Sequence, residues 1–290
     1  MPSLRLDAFE DHKREWDDFD YVYPVLSRRA KGISVGINLN PDKVCNFDCV
    51  YCEVDRNKPG KRSDISLPQI SEEVTKLLDL INDGTIYNVE PFKSIPIELR
   101  RLNDIAFSGD GEPTTCIDLP IVASQIARIL KARRDFTTKL ILITDSSNLL
   151  APHVVEALEI IMCNRGEIWA KLDAGSQEYY QEINRTHVPF SKILHNIEIT
   201  SIKWPITIQA LFLRWKSRGP SFDEIAKFTG HLSRFEKNGS KIQLLQIYTV
   251  ARPTPEKEAT ALTLTELIQI KSWVSDRMPN LPIELFEGNA

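Results

Sequence analysis

The chain has 290 residues, 42% of them apolar and 26% charged, a composition typical of a soluble globular protein of one large domain or two ordinary ones. Its net charge of −4 and the scattering of its basic pairs along the chain give no support for nucleic acid as a partner. No apolar run approaches the ~20 residues of a membrane-spanning helix, and the N-terminal segment lacks the apolar core of a signal peptide. We therefore expect a cytoplasmic protein with no membrane segment.

The predicted elements begin after a polar arm, residues 1–31, whose aromatic side chains, among them Phe9 and Trp16, follow no clear period. We expect this arm to pack against the domain as irregular structure. From residue 32 onwards, segments with the two-residue period of strands alternate with segments that have one apolar helical face. The predicted strands are 33–39, 104–109, 139–144, 168–173, 206–213 and 242–249. The predicted helices are 66–83, 119–132, 151–162, 189–200, 222–235 and 265–275.

Six strand–helix units in succession predict a parallel sheet, because parallel neighbours have to be joined by helical crossovers. Six units are too few for a closed eight-stranded barrel and suit an α/β fold with a partial, three-quarter parallel β/α barrel. A doubly wound sheet is the alternative. We assign the core to residues 32–255 and a C-terminal helix and tail to 256–290. In either fold ligands bind at the carboxyl ends of the strands, so side chains that follow the strands are the candidates for function.

Three cysteines, Cys45, Cys49 and Cys52, follow the first predicted strand within eight residues. Soft thiolates at this spacing favour zinc or an iron–sulfur cluster over disulfides. Structural zinc needs a closed shell of four ligands, but the loop has no second cysteine pair and the five histidines show no ligand spacing. An iron–sulfur cube can be held by three cysteines, with its fourth iron open to another ligand. Cys116 and Cys163 stand apart, and we expect both to be buried as small apolar residues.

The spacing C-x3-C-x2-C, with Tyr51 directly before the third cysteine, resembles the cluster motif of the radical S-adenosylmethionine (SAM) superfamily. The resemblance implies that Cys45, Cys49 and Cys52 hold a 4Fe-4S cluster and that SAM chelates its fourth iron. It implies a flavodoxin- or ferredoxin-like electron donor. It also implies cleavage of SAM to methionine and a 5′-deoxyadenosyl radical, which abstracts hydrogen from a substrate that the sequence does not identify. Tyr51 is accordingly a candidate cofactor-binding residue.

A second segment, Ser108-Gly-Asp-Gly-Glu-Pro113, follows the second predicted strand. Closely spaced glycines let a backbone approach a ligand, and a carboxylate offers an acceptor. The segment is similar to the Gly-x-Gly-Glu-Pro segment of the same superfamily. That resemblance implies that Gly109, Asp110, Gly111 and Glu112 receive the amino group of the methionine part of SAM.

Polar residues also occur on the later strands. Lys171 and Asp173 share one face of the fourth strand, where they either form an inward salt bridge or contact SAM or the substrate, and they are our candidate catalytic residues. Gln209 on the fifth strand and Gln246 on the sixth are polar residues in apolar strands, and Gln209 is a candidate for cofactor binding. Val250 follows the sixth strand, where the superfamily often contacts adenine.

Three alternatives stay open. Segments 108–113 and 169–175 are most similar to the branch of the superfamily that contains the wyosine-base synthases, which modify a guanine in transfer RNA. A tRNA-base-modifying enzyme is therefore the first alternative, although this sequence lacks the additional cysteines with which those synthases bind an auxiliary cluster. The second is a non-catalytic iron–sulfur redox sensor, and the third is a zinc-binding structural domain.

Overall fold

The computed structural model describes residues 16–61 and 64–288. The strands are β1 (Val22–Ser27), β2 (Gly32–Ile37), β3 (Leu102–Phe107), β4 (Lys139–Thr144), β5 (Glu167–Lys171), β6 (Ile206–Leu211), β7 (Leu213–Trp215), β8 (Ile242–Tyr248), β9 (Ala259–Ala261) and β10 (Ile283–Phe286). The helices are α1 (Leu67–Asn82), α2 (Leu119–Ala132), α3 (Pro152–Cys163), α4 (Gln177–Asn184), α5 (Phe190–Lys203), α6 (Phe222–Lys237) and α7 (Leu264–Arg277). No helix of the described residues is long and apolar enough to cross a membrane.

The fold is α/β, with a curled, mostly parallel sheet of eight strands in the order β1-β2-β3-β4-β5-β6-β8-β10. Each of the six predicted strands and each of the six predicted helices has a counterpart within a few residues of its expected bounds. The prediction of a partial parallel β/α barrel is therefore confirmed. The distribution of apolar residues along the chain predicted these elements because strands covered on both faces form short apolar runs, while each helix buries a single face.

The N-terminal arm differs from the prediction. Its last part is not irregular but forms β1, which pairs antiparallel with β2. The carboxylate of Glu73 on α1 accepts hydrogen bonds from the backbone N–H groups of Tyr21 and Val22, at 2.9 Å and 3.1 Å. Five of the six residues of β1 are buried, so the segment lacks the polar–apolar alternation that identifies a strand with one exposed face. Phe9 lies outside the described residues.

The chain folds into two compact units. The first takes in the described residues up to Val44, those from Pro59 to Leu142, and Pro152–Glu167. Within it β2 pairs in parallel with β3, and β3 with β4. Ser66 begins α1 by accepting a hydrogen bond from the backbone of Gln69, as its position predicts. The predicted apolar face of α1 is buried throughout: Ile70, Val74, Leu77, Leu78 and Ile81.

The second unit takes in Cys45–Lys58, Ile143–Ala151 and the described residues from Ile168 onwards. Within it β5, β6, β8 and β10 follow one another in parallel, and β7 pairs antiparallel with β9. Helix α4 and strand β10 were not predicted, since they are short, at eight and four residues.

The two isolated cysteines were expected to be buried. Cys116 is only partly buried, and Cys163 is exposed. The prediction is therefore wrong for Cys163, because it occupies the last position of α3, on the side that faces solvent.

Candidate functional site

The three clustered cysteines are not in disulfide bonds and are partly buried, on the loop 45–58 of the second unit. The end of α4 holds this loop through its backbone. Asp48 donates to the carbonyl of Asn184 at 3.2 Å, and Val50 donates to that of Ile183 at 2.9 Å. Among the described residues, no group of three or more His, Cys, Asp or Glu side chains is arranged as a ready-made site for a metal ion.

The sulfur atoms of Cys49 and Cys52 accept hydrogen bonds from nitrogen. Asn184 Nδ2 lies 3.4 Å from Cys49 Sγ, and Arg56 Nη1 lies 3.1 Å from Cys52 Sγ. Burial raises the pKa of Cys49 to about 12, although nearby Lys171 opposes the shift. In the protein alone this thiol is therefore protonated at neutral pH, and a bound metal has to displace its proton.

Tyr51, directly before Cys52, lies against the predicted catalytic pair. Its hydroxyl donates a hydrogen bond to Asp173 Oδ2, and the backbone N–H of Leu211 donates to Asp173 Oδ1 at 2.9 Å. Lys171 Nζ lies 3.9 Å from Asp173 Oδ2 and 4.5 Å from the centre of the Tyr51 ring. The structure thus brings Tyr51, Lys171 and Asp173 together, and it contains the inward salt bridge that was one of the two interpretations.

The protonation of this group follows from burial and charge. Burial and the charge of Asp173 raise the pKa of Tyr51 well above its ordinary value, so the phenol remains a donor. Burial lowers the pKa of Lys171, but Asp173, followed by Tyr248 and Cys49, raises it by more, so its net pKa is raised. Lys171 is therefore a cation at neutral pH and not a free amine nucleophile.

Asn184 lies at the centre of these contacts and is almost fully buried. Its Nδ2 atom is 3.3 Å from both Tyr51 Oη and Asp173 Oδ2, in addition to its contact with Cys49. Its Oδ1 atom is buried and has no hydrogen-bond partner among the described residues. A buried amide oxygen without a partner carries a desolvation cost that a bound molecule with an N–H or O–H group removes.

A row of polar side chains continues across the strands of the second unit. Lys171 on β5 is in register with Gln209 on β6, which is in register with Gln246 on β8. Gln209 Nε2 donates to Gln246 Oε1 at 2.9 Å, and both glutamines are buried. Val250 packs against the apolar cluster around Tyr51.

The Gly-x-Gly segment follows β3 in the first unit, and its backbone lies so close to other residues of that unit that only glycine fits at two positions. A Cβ atom on Gly109 would overlap Asn38, and one on Gly111 would overlap the carbonyl oxygen of Val44, the residue before Cys45. Asp110 belongs to the same contact, since Asn38 Nδ2 donates to Asp110 Oδ2 at 2.8 Å. The backbone therefore passes closely against residues 38–44, which lead into the cysteine loop.

Glu112 is buried, and one of its carboxylate oxygens accepts two hydrogen bonds from within the protein. Glu112 Oε1 accepts hydrogen bonds from the backbone N–H of Thr114 at 3.1 Å and from its hydroxyl at 2.6 Å. These bonds fix the direction of the carboxylate at the start of a short 3₁₀ turn, 113–115.

Two residues that contact the clustered cysteines were not predicted from the sequence. Asn184 carries no signal in the sequence, because its contacts with Cys49 and Tyr51 join residues 135 and 133 positions apart. Arg56 has a weak signal, a cation four residues after a clustered cysteine.

No family model matches the chain. It is 31% identical over 171 residues to a UPF0026 protein of Methanocaldococcus jannaschii, a match that covers 57% of this chain and 43% of that protein. It is 30% identical over 175 residues to a UPF0026 protein of Helicobacter pylori, a match that covers 60% of this chain and 48% of that protein. The chain therefore spans less than half the length of the curated relatives it matches.

Two solved structures share the fold. SuiB of Streptococcus suis, bound to S-adenosylmethionine, superposes with a TM-score of 0.59 and 13% identity over 89% of this chain and 52% of that chain. TYW1 with a lysine–pyruvate adduct bound superposes with a TM-score of 0.55 and 15% identity over 85% of this chain and 74% of that chain. At these identities the likeness concerns the fold alone.

Proposed function

We propose that the protein is a radical SAM enzyme that reductively cleaves S-adenosylmethionine at a 4Fe-4S cluster and uses the resulting radical on a substrate still to be identified. The observation that carries the proposal is the loop with Cys45, Cys49 and Cys52, three partly buried cysteines outside any disulfide, at the spacing of the superfamily motif. The fold shared with SuiB, which binds SAM in its solved structure, supports it.

The residues present fit both groups. Thiolates are the ligands that iron–sulfur clusters take, and three of them leave one iron open. The glycines at 109 and 111 are required by close packing against Asn38 and Val44, and their role toward SAM is proposed from the resemblance of the segment to the superfamily. The unpartnered oxygen of Asn184 offers a buried acceptor beside Cys49.

When bound, the cluster supplies the electron that breaks a carbon–sulfur bond of SAM, giving methionine and a 5′-deoxyadenosyl radical. The role of the protein in this proposal is to bind SAM and to orient it. In this proposal Gly109–Glu112 receive the amino group of SAM, and Val250 contacts adenine. A flavodoxin- or ferredoxin-like protein supplies the electron.

Lys171 and Asp173 act as a fixed charge pair in this proposal. Tyr51 and the backbone N–H of Leu211 donate hydrogen bonds to Asp173 and orient its carboxylate. Lys171 stays protonated and offers a positive charge to a carboxylate of SAM or of the substrate. Gln209 lies next to Lys171 in register and extends the polar row toward Gln246.

The proposal is tested by anaerobic reconstitution followed by iron and sulfide analysis, with about four of each expected per chain. Cys49→Ala is expected to lose most of both, while Cys163→Ala, an exposed cysteine outside the loop, is the matched control. Equal iron and sulfide in Cys49→Ala and in the unaltered protein contradict the proposal. Zinc without sulfide favours the structural zinc domain.

Catalysis is tested separately. Reconstituted protein with SAM and dithionite is expected to release 5′-deoxyadenosine, measured by liquid chromatography and mass spectrometry. A cluster that binds SAM but releases no 5′-deoxyadenosine favours the redox sensor instead.

A further inference from the structure

The guanidinium of Arg56 contacts a sulfur of the cysteine loop. Its Nη1 atom donates to Cys52 Sγ at 3.1 Å, and the residue is partly buried. Two acids of the same loop have other cations: Glu53 pairs with Arg252 at 2.8 Å, and Asp55 pairs with Lys58 at 3.8 Å. Arg56 is a permanently charged donor with N–H groups in a rigid plane, and one of these groups donates to the sulfur of the third cysteine.

Asn184 holds the corresponding position at Cys49, with Nδ2 at 3.4 Å from the sulfur. The orientation of its amide is fixed by Asp173, whose Oδ2 atom accepts from the same nitrogen at 3.3 Å. A rotated amide would place its oxygen against that carboxylate. The sulfurs of two motif cysteines therefore have side-chain N–H donors that come from different parts of the chain.

We infer that Arg56 and Asn184 are positioning residues whose N–H···S hydrogen bonds raise the reduction potential of the cluster held by Cys45, Cys49 and Cys52. The inference rests on the proposed function and deepens it. Reduction adds one electron from the donor protein to the cluster and breaks no bond. The added negative charge spreads onto the sulfurs, where N–H donors interact more strongly with the reduced state.

A direct test is a potentiometric titration of the anaerobically reconstituted protein, followed by electron paramagnetic resonance of the reduced cluster. At the potential that half-reduces the unaltered protein, Arg56→Met is expected to lower the ratio of reduced to oxidised cluster at least about threefold, since one hydrogen bond to sulfur is lost. Arg56→Lys is expected to recover part of this ratio, because an ammonium group also donates.

Lys58→Met is the matched control. It removes a cation from the same loop, but Lys58 is exposed and its ion-pair partner is Asp55. Its ratio is expected to equal that of the unaltered protein. Asn184→Ala is expected to lower the ratio in the same direction as Arg56→Met.

Two results overturn the inference while leaving the proposed function intact. One is an unchanged ratio in Arg56→Met at full cluster content, and the other is an equal fall in Lys58→Met, which assigns the effect to overall charge. Absence of a cluster from the unaltered protein overturns the inference together with the proposed function. Iron and sulfide contents, measured first, distinguish these cases.

Discussion

The hydroxyl of Tyr51 donates a hydrogen bond to the carboxylate of Asp173, a residue 122 positions further along the chain. The other oxygen of Asp173 accepts from the backbone N–H of Leu211 at the end of β6. One carboxylate therefore ties the cysteine loop to the ends of two neighbouring strands, and it has the cation of Lys171 beside it. The first two predictions test the contacts of Tyr51 and of Lys171 with this carboxylate.

Tyr51→Phe is expected to lower the free energy of unfolding by about 1–3 kcal/mol, because a buried carboxylate loses a donor. Tyr179→Phe is the matched control, since its buried hydroxyl has no hydrogen-bond partner among the described residues. Urea unfolding of the two variants measures the difference. Equal effects from the two substitutions would show that the Tyr51–Asp173 bond contributes nothing to stability.

Lys171→Met is expected to reduce SAM-dependent formation of 5′-deoxyadenosine at least about tenfold while iron and sulfide contents stay unchanged, because a charge-assisted hydrogen bond to an anion is lost. Lys227→Met removes a cation from an exposed pair with Asp223 on α6 and is expected to have no effect. If turnover persists in Lys171→Met, the Lys171–Asp173 pair is a structural salt bridge only.

Gly111→Ala is expected to destabilise the protein by about 1–3 kcal/mol and to lower the iron content after reconstitution. The new Cβ atom overlaps the carbonyl oxygen of Val44. Val44 directly precedes Cys45, so the start of the cysteine loop has to move. Gly230→Ala on α6 meets no atom within 4 Å and is expected to stabilise by about 0.5–1 kcal/mol. Thermal unfolding and iron analysis test both; full iron loading of Gly111→Ala would contradict the expectation.

Asp104 on β3 is expected to make stability fall as the pH rises. Burial, and to a smaller extent the charge of Glu167, raise its pKa from 3.8 to about 6. A 2.5 Å hydrogen bond from Ser34 and the charges of Arg29 and Lys139 oppose the shift. Between these two pKa values the folded state binds more protons than the unfolded state, so the free energy of unfolding decreases as the pH rises.

Asp104→Asn removes this dependence. Relative to the unaltered protein, its free energy of unfolding is expected to increase by about 2–3 kcal/mol between pH 4 and pH 7. Urea unfolding at several pH values measures it. A difference that stays constant with pH would mean that Asp104 keeps its ordinary pKa in the folded protein.

Local pattern was enough to predict the fold class and the position of the cysteine loop. Strands 139–144 and 242–249 were predicted within one residue of their observed ends, because their apolar runs reflect burial that each strand experiences in any such sheet. Strand β1 was missed for a related reason: with almost every residue buried it has no alternation, and its pairing depends on β2 and on Glu73.

The spacing of Cys45, Cys49 and Cys52 was enough to predict a site for zinc or an iron–sulfur cluster, because soft thiolates so close together in sequence favour these groups. The same holds for the glycines at 109 and 111, whose lack of side chains is a local property. Only the tertiary structure decided what surrounds the sulfurs. The contacts of Asn184 with Cys49 and Tyr51, and of Asp173 with Leu211, join residues distant in the chain. No periodicity encodes such contacts, since they arise where separate strands and loops end at the same place in the fold.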